Sequence, residues 1–125
     1  MLLDTCALLW LAAGEDRLSQ TVVEKIDASL SVAVSAISAF EVAIKTVKDK
    51  LTLPLPAPEW WSRVIEHHHL SVLQVTDEIF LKAALLPQIH SDPADRIIIA
   101  TALIHDLTVV TADTVFERYG VRVDN

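Results

Sequence analysis

Residues 90–102 of this 125-residue chain predict a helix that is apolar on every side behind a charged first turn. Pro93 suits the first position of that helix, since its missing N–H is one of the donors that a first turn leaves unpaired, and Asp92 then falls at the N-cap. A surface helix would spread its charges along one face, whereas Asp95 and Arg96 stand together at the start of an apolar run. Such a helix must be buried, and its charged first turn predicts a functional site.

Helix capping is the local alternative for the two acids of this turn. Asp92 can accept hydrogen bonds from first-turn N–H groups, and Asp95, three residues on, can reach back as in a capping box. Capping explains Asp92 as well as a site does, but it explains Asp95 less well. The choice between helix capping and a functional site therefore depends on whether acidic residues from other segments lie nearby.

Short segments with the composition of strands alternate with helical patterns along the chain. The predicted strands are residues 2–3, 32–34, 70–75, 107–110 and 121–123. The predicted helices begin near residues 7, 19, 35, 58, 77 and 93. Regular alternation of this kind is typical of a parallel sheet covered by helices. We therefore expect an α/β fold in a single domain of residues 1–125.

The charge and hydropathy of the chain restrict its function class. A net charge of -7 argues against a general nucleic-acid binder, because such proteins neutralise phosphates with Lys and Arg. A polyanionic substrate would need local cations, either basic side chains or bound metal ions. The mean hydropathy of +0.41 is high, but no apolar run approaches the roughly 20 residues of a membrane span. Asp4 follows the first three residues at once, so we expect no signal peptide and a cytoplasmic protein.

Cysteine and histidine do not predict a metal site of their own. Cys6 is the only cysteine, so we expect it to be a small buried hydrophobe. Three consecutive histidines, His67, His68 and His69, point about 100° apart on a helix and cannot converge on one ion. We expect them at a solvated helix end.

Four acidic residues share a structural description. Asp4 and Asp113 directly follow predicted strands, while Glu41 and Asp95 lie near the starts of predicted helices. In a right-handed parallel sheet, strand ends and the following helix starts lie on the same edge, and ligand sites form beyond the carboxyl ends of the strands. We therefore expect the four carboxylates to converge on one cleft.

Glu41 also fits two local roles when its helix is considered alone. Ser38 and Glu41 have the spacing of a capping box, which would make Glu41 structural. Glu41, Lys45 and Lys48 also share one helical stripe, which is either a solvated face or an acid at the site with bases leading away from it. The apolar residues at helical spacing are predicted to face the core: Ile37, Phe40, Ile44 and Val47.

Four converging carboxylates imply a bound cation. Two carboxylates about 4 Å apart repel by roughly 4 kcal/mol at an effective dielectric of 20. Oxygen ligands without His or Cys suit Mg²⁺ or Mn²⁺. The matching chemistry is metal-assisted phosphodiester hydrolysis, in which the metal lowers the pKa of an attacking water. The chain has neither a nucleophile with a paired base nor a glycine-rich phosphate loop.

With these residues in view, the chain resembles the PIN-domain family, and in particular its VapC-type toxins of bacterial toxin–antitoxin pairs. The matching motifs span nearly the whole chain in the family's order, and they are specific as a set. They are Leu2-Leu3-Asp4-Thr5, Ser38 with Glu41 and Lys45, Asp92-Pro93-Ala94-Asp95-Arg96, and Thr111-Ala112-Asp113. The resemblance implies a three-layer α/β/α sandwich with a mostly parallel central sheet.

The resemblance also implies an activity and partners. It makes the chain an endoribonuclease that hydrolyses RNA with Mg²⁺ or Mn²⁺ and acts as the toxin of a pair. It further implies a homodimer and a cognate antitoxin that covers the cleft. The residues implied to bind the metal and to catalyse are the acidic quartet: Asp4, Glu41, Asp95 and Asp113.

Five further residues receive supporting roles from the resemblance. Thr5 and Thr111 are expected to orient water bound to the metal, and Asp92 is expected to be a helix cap or a supporting acid. Arg96, and Lys45 with it, would contact phosphate or the antitoxin. An ion pair between Arg96 and Asp92 is an equally good alternative for the arginine.

Two other functions fit parts of the sequence. A signalling receiver domain also has a parallel sheet and an acidic Mg²⁺ site, but it needs an acid pair after the first strand and a late lysine. This chain has a lone Asp4, a misplaced Asp77 and no late lysine. A PIN-like binding module with little hydrolysis is the second alternative, and an intact quartet argues against it.

Overall fold

The protein is described by a computed structural model that covers all 125 residues, and its five strands form one all-parallel sheet. The strands are Leu2–Leu3 (β1), Val32–Ser35 (β2), Leu70–Leu73 (β3), Val109–Val110 (β4) and Val123–Asp124 (β5). Their order across the sheet is β3-β2-β1-β4-β5. A receiver domain has the order 2-1-3-4-5 instead, so the signalling alternative is wrong.

Six α-helices and one 3₁₀ helix connect the strands, as the alternation predicted. They are Thr5–Ala13 (α1), Gln20–Ala28 (α2), Ala36–Val47 (α3), Ala57–His67 (α4), Asp77–Leu85 (α5), Pro93–His105 (α6) and the 3₁₀ helix Thr114–Tyr119. Capping residues start most of them, since Ser19, Ser35, Thr76 and Asp92 each accept a first-turn N–H. None of the helices combines the length and apolar character needed to cross a lipid bilayer.

Two hydrophobic clusters lie on opposite faces of the sheet, so the predicted three-layer sandwich is confirmed. Leu2 of β1 belongs to one cluster and Leu3 to the other, as the alternation of side chains along a strand requires. The first cluster contains residues of α5 and α6: Ile79, Ile98 and Ile99. The second contains residues of α1, α2, α3 and α4: Leu8, Val22, Val42 and Trp60.

The parallel register brings the carboxyl ends of the central strands together. Leu3 of β1 pairs with Val34 of β2 on one side and with Val110 of β4 on the other. The residues that follow these strands therefore lie at one edge of the sheet. Strands β2 and β3 are added on one side of β1, and strands β4 and β5 on the other. The strand order therefore reverses at β1, and such a point is where parallel sheets open a crevice.

The apolar face predicted for α3 is partly wrong. Phe40 is 63% exposed and Val47 is 78% exposed, whereas Val42 is fully buried. The helix begins at Ala36 with Ser35 as its N-cap, so Ser38 is not the capping residue of a box with Glu41. Polar residues of α3 instead turn inward at the site, and this rotates part of the apolar stripe towards solvent.

Arg96 forms no ion pair with Asp92, so that alternative is wrong, while its contact with phosphate or the antitoxin stays a prediction. Its side chain is buried, and its guanidinium donates to the carbonyls of Leu86, Pro87 and His90 at 2.8, 3.0 and 3.0 Å. These carbonyls belong to the loop between α5 and α6, where the backbone lacks the regular hydrogen bonds of a helix or strand. The five N–H donors of one guanidinium satisfy them together.

We expect Arg96→Lys to destabilise the protein by about 3 kcal/mol, because a single ammonium cannot replace the guanidinium donors that bind the buried Leu86 carbonyl and the His90 carbonyl. Urea unfolding followed by circular dichroism measures the change. Arg63→Lys, on the exposed side of α4, is the matched control and should change stability by less than about 0.5 kcal/mol. Equal effects of the two substitutions would contradict a clamping role for Arg96.

Candidate active site

A cleft of about 340 Å³ opens at the carboxyl edge of β1 and β4. We call it the acidic cleft, because five of the ten side chains that line it are carboxylates. The lining residues are Asp4, Thr5, Cys6, Trp10, Glu41, Lys45, Asp92, Asp95, Ala112 and Asp113. The structure therefore brings together the four acids of the predicted quartet, which come from four separate segments of the chain.

Asp4 joins the end of β1 to the start of α1. It is the N-cap of α1, and its Oδ1 accepts the backbone N–H of Ala7 at 2.7 Å. Burial raises the pKa of the Asp4 carboxyl, the Thr111 hydroxyl and the Ala7 N–H lower it, and the nearby charges of Glu41 and Asp113 raise it further. Two of its quartet neighbours thus act electrostatically on Asp4.

Glu41 points from α3 into the same cleft. Its Oε2 lies 3.7 Å from the ammonium nitrogen of Lys45, one turn later on the helix. Its Oε1 is buried and has no hydrogen-bond partner. Because a buried carboxylate oxygen without a partner is costly, this atom calls for a partner that the protein itself does not supply.

Asp92 and Asp95 have different roles at the start of α6. Asp92 is the predicted N-cap, and its Oδ1 accepts the backbone N–H of Asp95 at 3.1 Å. Asp95 does not reach back to complete a capping box, and its Oδ2 contacts His90 instead. Burial raises the pKa of Asp95 to about 6; the hydrogen bond from His90 lowers it, while the charges of Asp92 and Glu41 raise it.

Asp113 follows β4 and caps the 3₁₀ helix, and its Oδ1 accepts the N–H of Val115 at 2.9 Å. Its other oxygen lies 3.6 Å from Nε2 of His90, and the same nitrogen lies 2.7 Å from Asp95 Oδ2. The sequence patterns assigned no role to His90. The only sequence feature that could have indicated a role for His90 is its position just before the Asp92-Pro93 helix start, because a loop residue belongs to no periodic pattern.

The expected supporting residues differ in how they reach the cleft. Thr5 lines it, but the Thr5 hydroxyl is hydrogen-bonded to the buried hydroxyl of Ser38 at 2.8 Å. Thr111 lies behind the lining, where its Oγ1 accepts the N–H of Asp113 at 3.0 Å. Both threonines thus hold elements in place, and Lys45 is the only cation among the lining residues.

Cys6 was expected to be buried, and this expectation is wrong. It lies two residues after Asp4 in the first turn of α1, where the helix faces the acidic cleft, and it is exposed. Desolvation raises the pKa of its thiol, and the Asp4 charge adds to this. The thiol at this position is therefore held in its neutral form.

The donor atoms of the cleft suit a divalent cation. Most are carboxylate oxygens, which Mg²⁺ and Mn²⁺ prefer, and the unpaired Oε1 of Glu41 is one of them. His90, Asp95 and Asp113 also place one ligand atom each within 4.8 Å of one another. A cation here would offset the repulsion among carboxylates that burial has made costly to ionise.

Comparison with known proteins agrees with this architecture. The family model of the PIN domain matches residues 1–122. Ribonuclease VapC22 of Mycobacterium tuberculosis is 34% identical to the chain over 114 residues, which cover 90% of this chain and 86% of the relative.

Solved structures match the fold over almost the whole chain. The crystal structure of FitAcB from Neisseria gonorrhoeae superposes with a TM-score of 0.70 at 25% identity and covers 99% of this chain and 96% of its own. VapBC2 from Rickettsia felis, bound to a DNA fragment from its promoter, has a TM-score of 0.72 at 17% identity, with coverage of 99% and 96%. The second likeness concerns the fold alone. With the family model matched over residues 1–122, the chain belongs to the PIN-domain family.

Proposed function

We propose that this chain is a metal-dependent endoribonuclease that hydrolyses RNA phosphodiester bonds as the toxin of a toxin–antitoxin pair. The observation that carries the proposal is the convergence of Asp4, Glu41, Asp95 and Asp113 on one cleft in which a buried Glu41 oxygen has no partner. The relative from Mycobacterium tuberculosis, which is named a ribonuclease, supports the reaction class.

The quartet would hold Mg²⁺ or Mn²⁺ through its carboxylate oxygens, most of which are already oriented by one protein contact. Asp4 and Asp113 each give one oxygen to a backbone N–H, and Asp95 gives one to His90. These contacts fix the three carboxylates, so their ligand oxygens are oriented without a large entropy cost. A bound divalent cation supplies an acidified water and stabilises negative charge on the reacting phosphate.

Lys45 is the residue that we expect to contact the RNA backbone near the reacting phosphate. It is the only cation that lines the acidic cleft, and its ammonium lies 3.7 Å from Glu41. A phosphate entering an acidic cleft gains from a nearby positive charge.

The proposal includes the partners expected of a toxin. Two of the solved structures similar to this chain are VapBC assemblies bound to DNA, and one is a toxin–antitoxin complex from Klebsiella pneumoniae. A cognate antitoxin over the cleft and a homodimer are parts of this proposal. Exposed apolar residues on α3 and α5 support a protein interface: Phe40, Val47, Phe80, Leu81 and Leu85. The cytoplasm, where RNA is translated, is the proposed location.

We expect Asp4→Asn and Asp95→Asn each to lower RNA cleavage at least about 100-fold, because each removes a metal ligand from the centre that stabilises charge. Cleavage of a labelled single-stranded RNA by antitoxin-free protein, with Mn²⁺ or Mg²⁺, measures the rate, and EDTA should abolish it. Asp49→Asn, in the exposed turn after α3, is the isosteric control and should cut normally. Variants as active as the parent would refute the site assignment.

We expect the metal-free protein to lose stability as the pH rises from about 4 to about 6. The folded-state pKa of Asp95, about 6, lies above its ordinary value of 3.8, so the folded state binds more protons in this range. The shift corresponds to about 2 to 3 kcal/mol, which is present below pH 4 and lost above pH 6.

Thermal unfolding in EDTA across this pH range tests the expectation. Asp95→Asn should make the profile less steep, leaving the part that comes from the raised pKa of Asp4, and should make the metal-free protein more stable at pH 7, because the amide is uncharged. Asp49→Asn should keep the profile of the parent. An Asp95→Asn profile that is as steep as the parent's would show that another group causes the dependence.

A further inference from the structure

His90 lies in the loop between α5 and α6, and its backbone is held on both sides. Its N–H donates to the Tyr119 hydroxyl at 2.7 Å, and its carbonyl accepts from the Arg96 guanidinium at 3.0 Å. The imidazole packs beside Phe116 with 6.4 Å between ring centroids, and only 20% of the side chain is exposed. The ring is therefore fixed in place by contacts that belong to the core.

The Nε2 atom of His90 stands between two acids of the quartet. It lies 2.7 Å from Asp95 Oδ2 and 3.6 Å from Asp113 Oδ2. Both acids line the acidic cleft, whereas His90 does not. The imidazole therefore reaches the two carboxylates without itself belonging to the lining of the cleft.

We propose that His90 is a positioning residue, which holds Asp95 and Asp113 at the separation that a divalent cation in the acidic cleft requires. The inference rests on the proposed function in one respect, the binding of that cation. One carboxylate comes from the start of α6 and the other from the end of β4, so no shared element fixes their separation. Nε2 of His90 supplies this link through a hydrogen bond to Asp95 Oδ2 at 2.7 Å and a longer electrostatic contact with Asp113 Oδ2 at 3.6 Å.

Direct ligation of the metal by His90 is the competing arrangement. Ligand atoms of His90, Asp95 and Asp113 lie within 4.8 Å of one another, so a nitrogen ligand is sterically feasible. The 2.7 Å contact has the length of a charge-assisted hydrogen bond, and His90 is not among the residues that line the cleft. Both observations favour a role through the carboxylates.

Mn²⁺ binding by the purified full chain, measured by isothermal titration calorimetry, tests the proposal with a matched pair of variants. His90→Phe keeps a ring beside Phe116 but removes the nitrogen, and we expect it to weaken Mn²⁺ binding by about 10-fold to 100-fold. His90→Gln keeps an N–H donor and should bind within about threefold of the parent. His105→Ala, at the exposed end of α6, is the control and should not change the affinity.

Electron paramagnetic resonance of the Mn²⁺ complex, prepared with ¹⁵N-labelled histidine, separates positioning from ligation. We expect no coupling from a histidine nitrogen, and a coupling that disappears in His90→Gln would overturn the positioning role. Unchanged Mn²⁺ affinity in His90→Phe would also overturn it while leaving the proposed ribonuclease intact. Absence of Mn²⁺ binding in the parent protein would instead refute the proposed function, and the inference with it.

Discussion

Mutual repulsion among carboxylates gathered in one partly buried cleft is the constraint on which the rest of the site depends. Burial raises the pKa of Asp4 and of Asp95, and neighbouring acids raise both further. The fold meets this cost by placing Asp4, Asp92 and Asp113 at helix N-termini, where each accepts a backbone N–H. Helix starts favour negative charge. They do not neutralise the cluster, and so a divalent cation remains the natural counterpart.

Helix α6 connects the hydrophobic core to this cluster. Its apolar body packs into one face of the sheet, and its first turn carries Asp95 towards the cleft and Arg96 towards the preceding loop. Arg96 holds the preceding loop, and that loop holds His90 against Asp95. Asp95 and Arg96 therefore act together, because Arg96 holds the loop that contains His90, and His90 is the hydrogen-bond partner of Asp95. Substitution of Arg96 is therefore expected to change the geometry of the site, although Arg96 does not line the cleft.

Surface features of α3 follow from the same inward turn of polar groups. Ser38 is buried against Thr5, and Glu41 and Lys45 face the acidic cleft. A helix can bury only part of its circumference, so directing these residues inward leaves Phe40 and Val47 exposed. The site and a candidate protein interface are thus two consequences of one helix orientation.

The sequence by itself determined the succession of strands and helices along the chain, the burial of α6 and the identity of the acids that meet at the sheet edge. These depend on local periodicity, on caps such as Asp92 and on the rule that parallel strands end together. Only the tertiary structure decided the orientation of α3, the burial of Arg96, the exposure of Cys6 and the contact of His90 with Asp95. Each of these depends on which side chain lies opposite in space, and residues that are distant along the chain supply that partner.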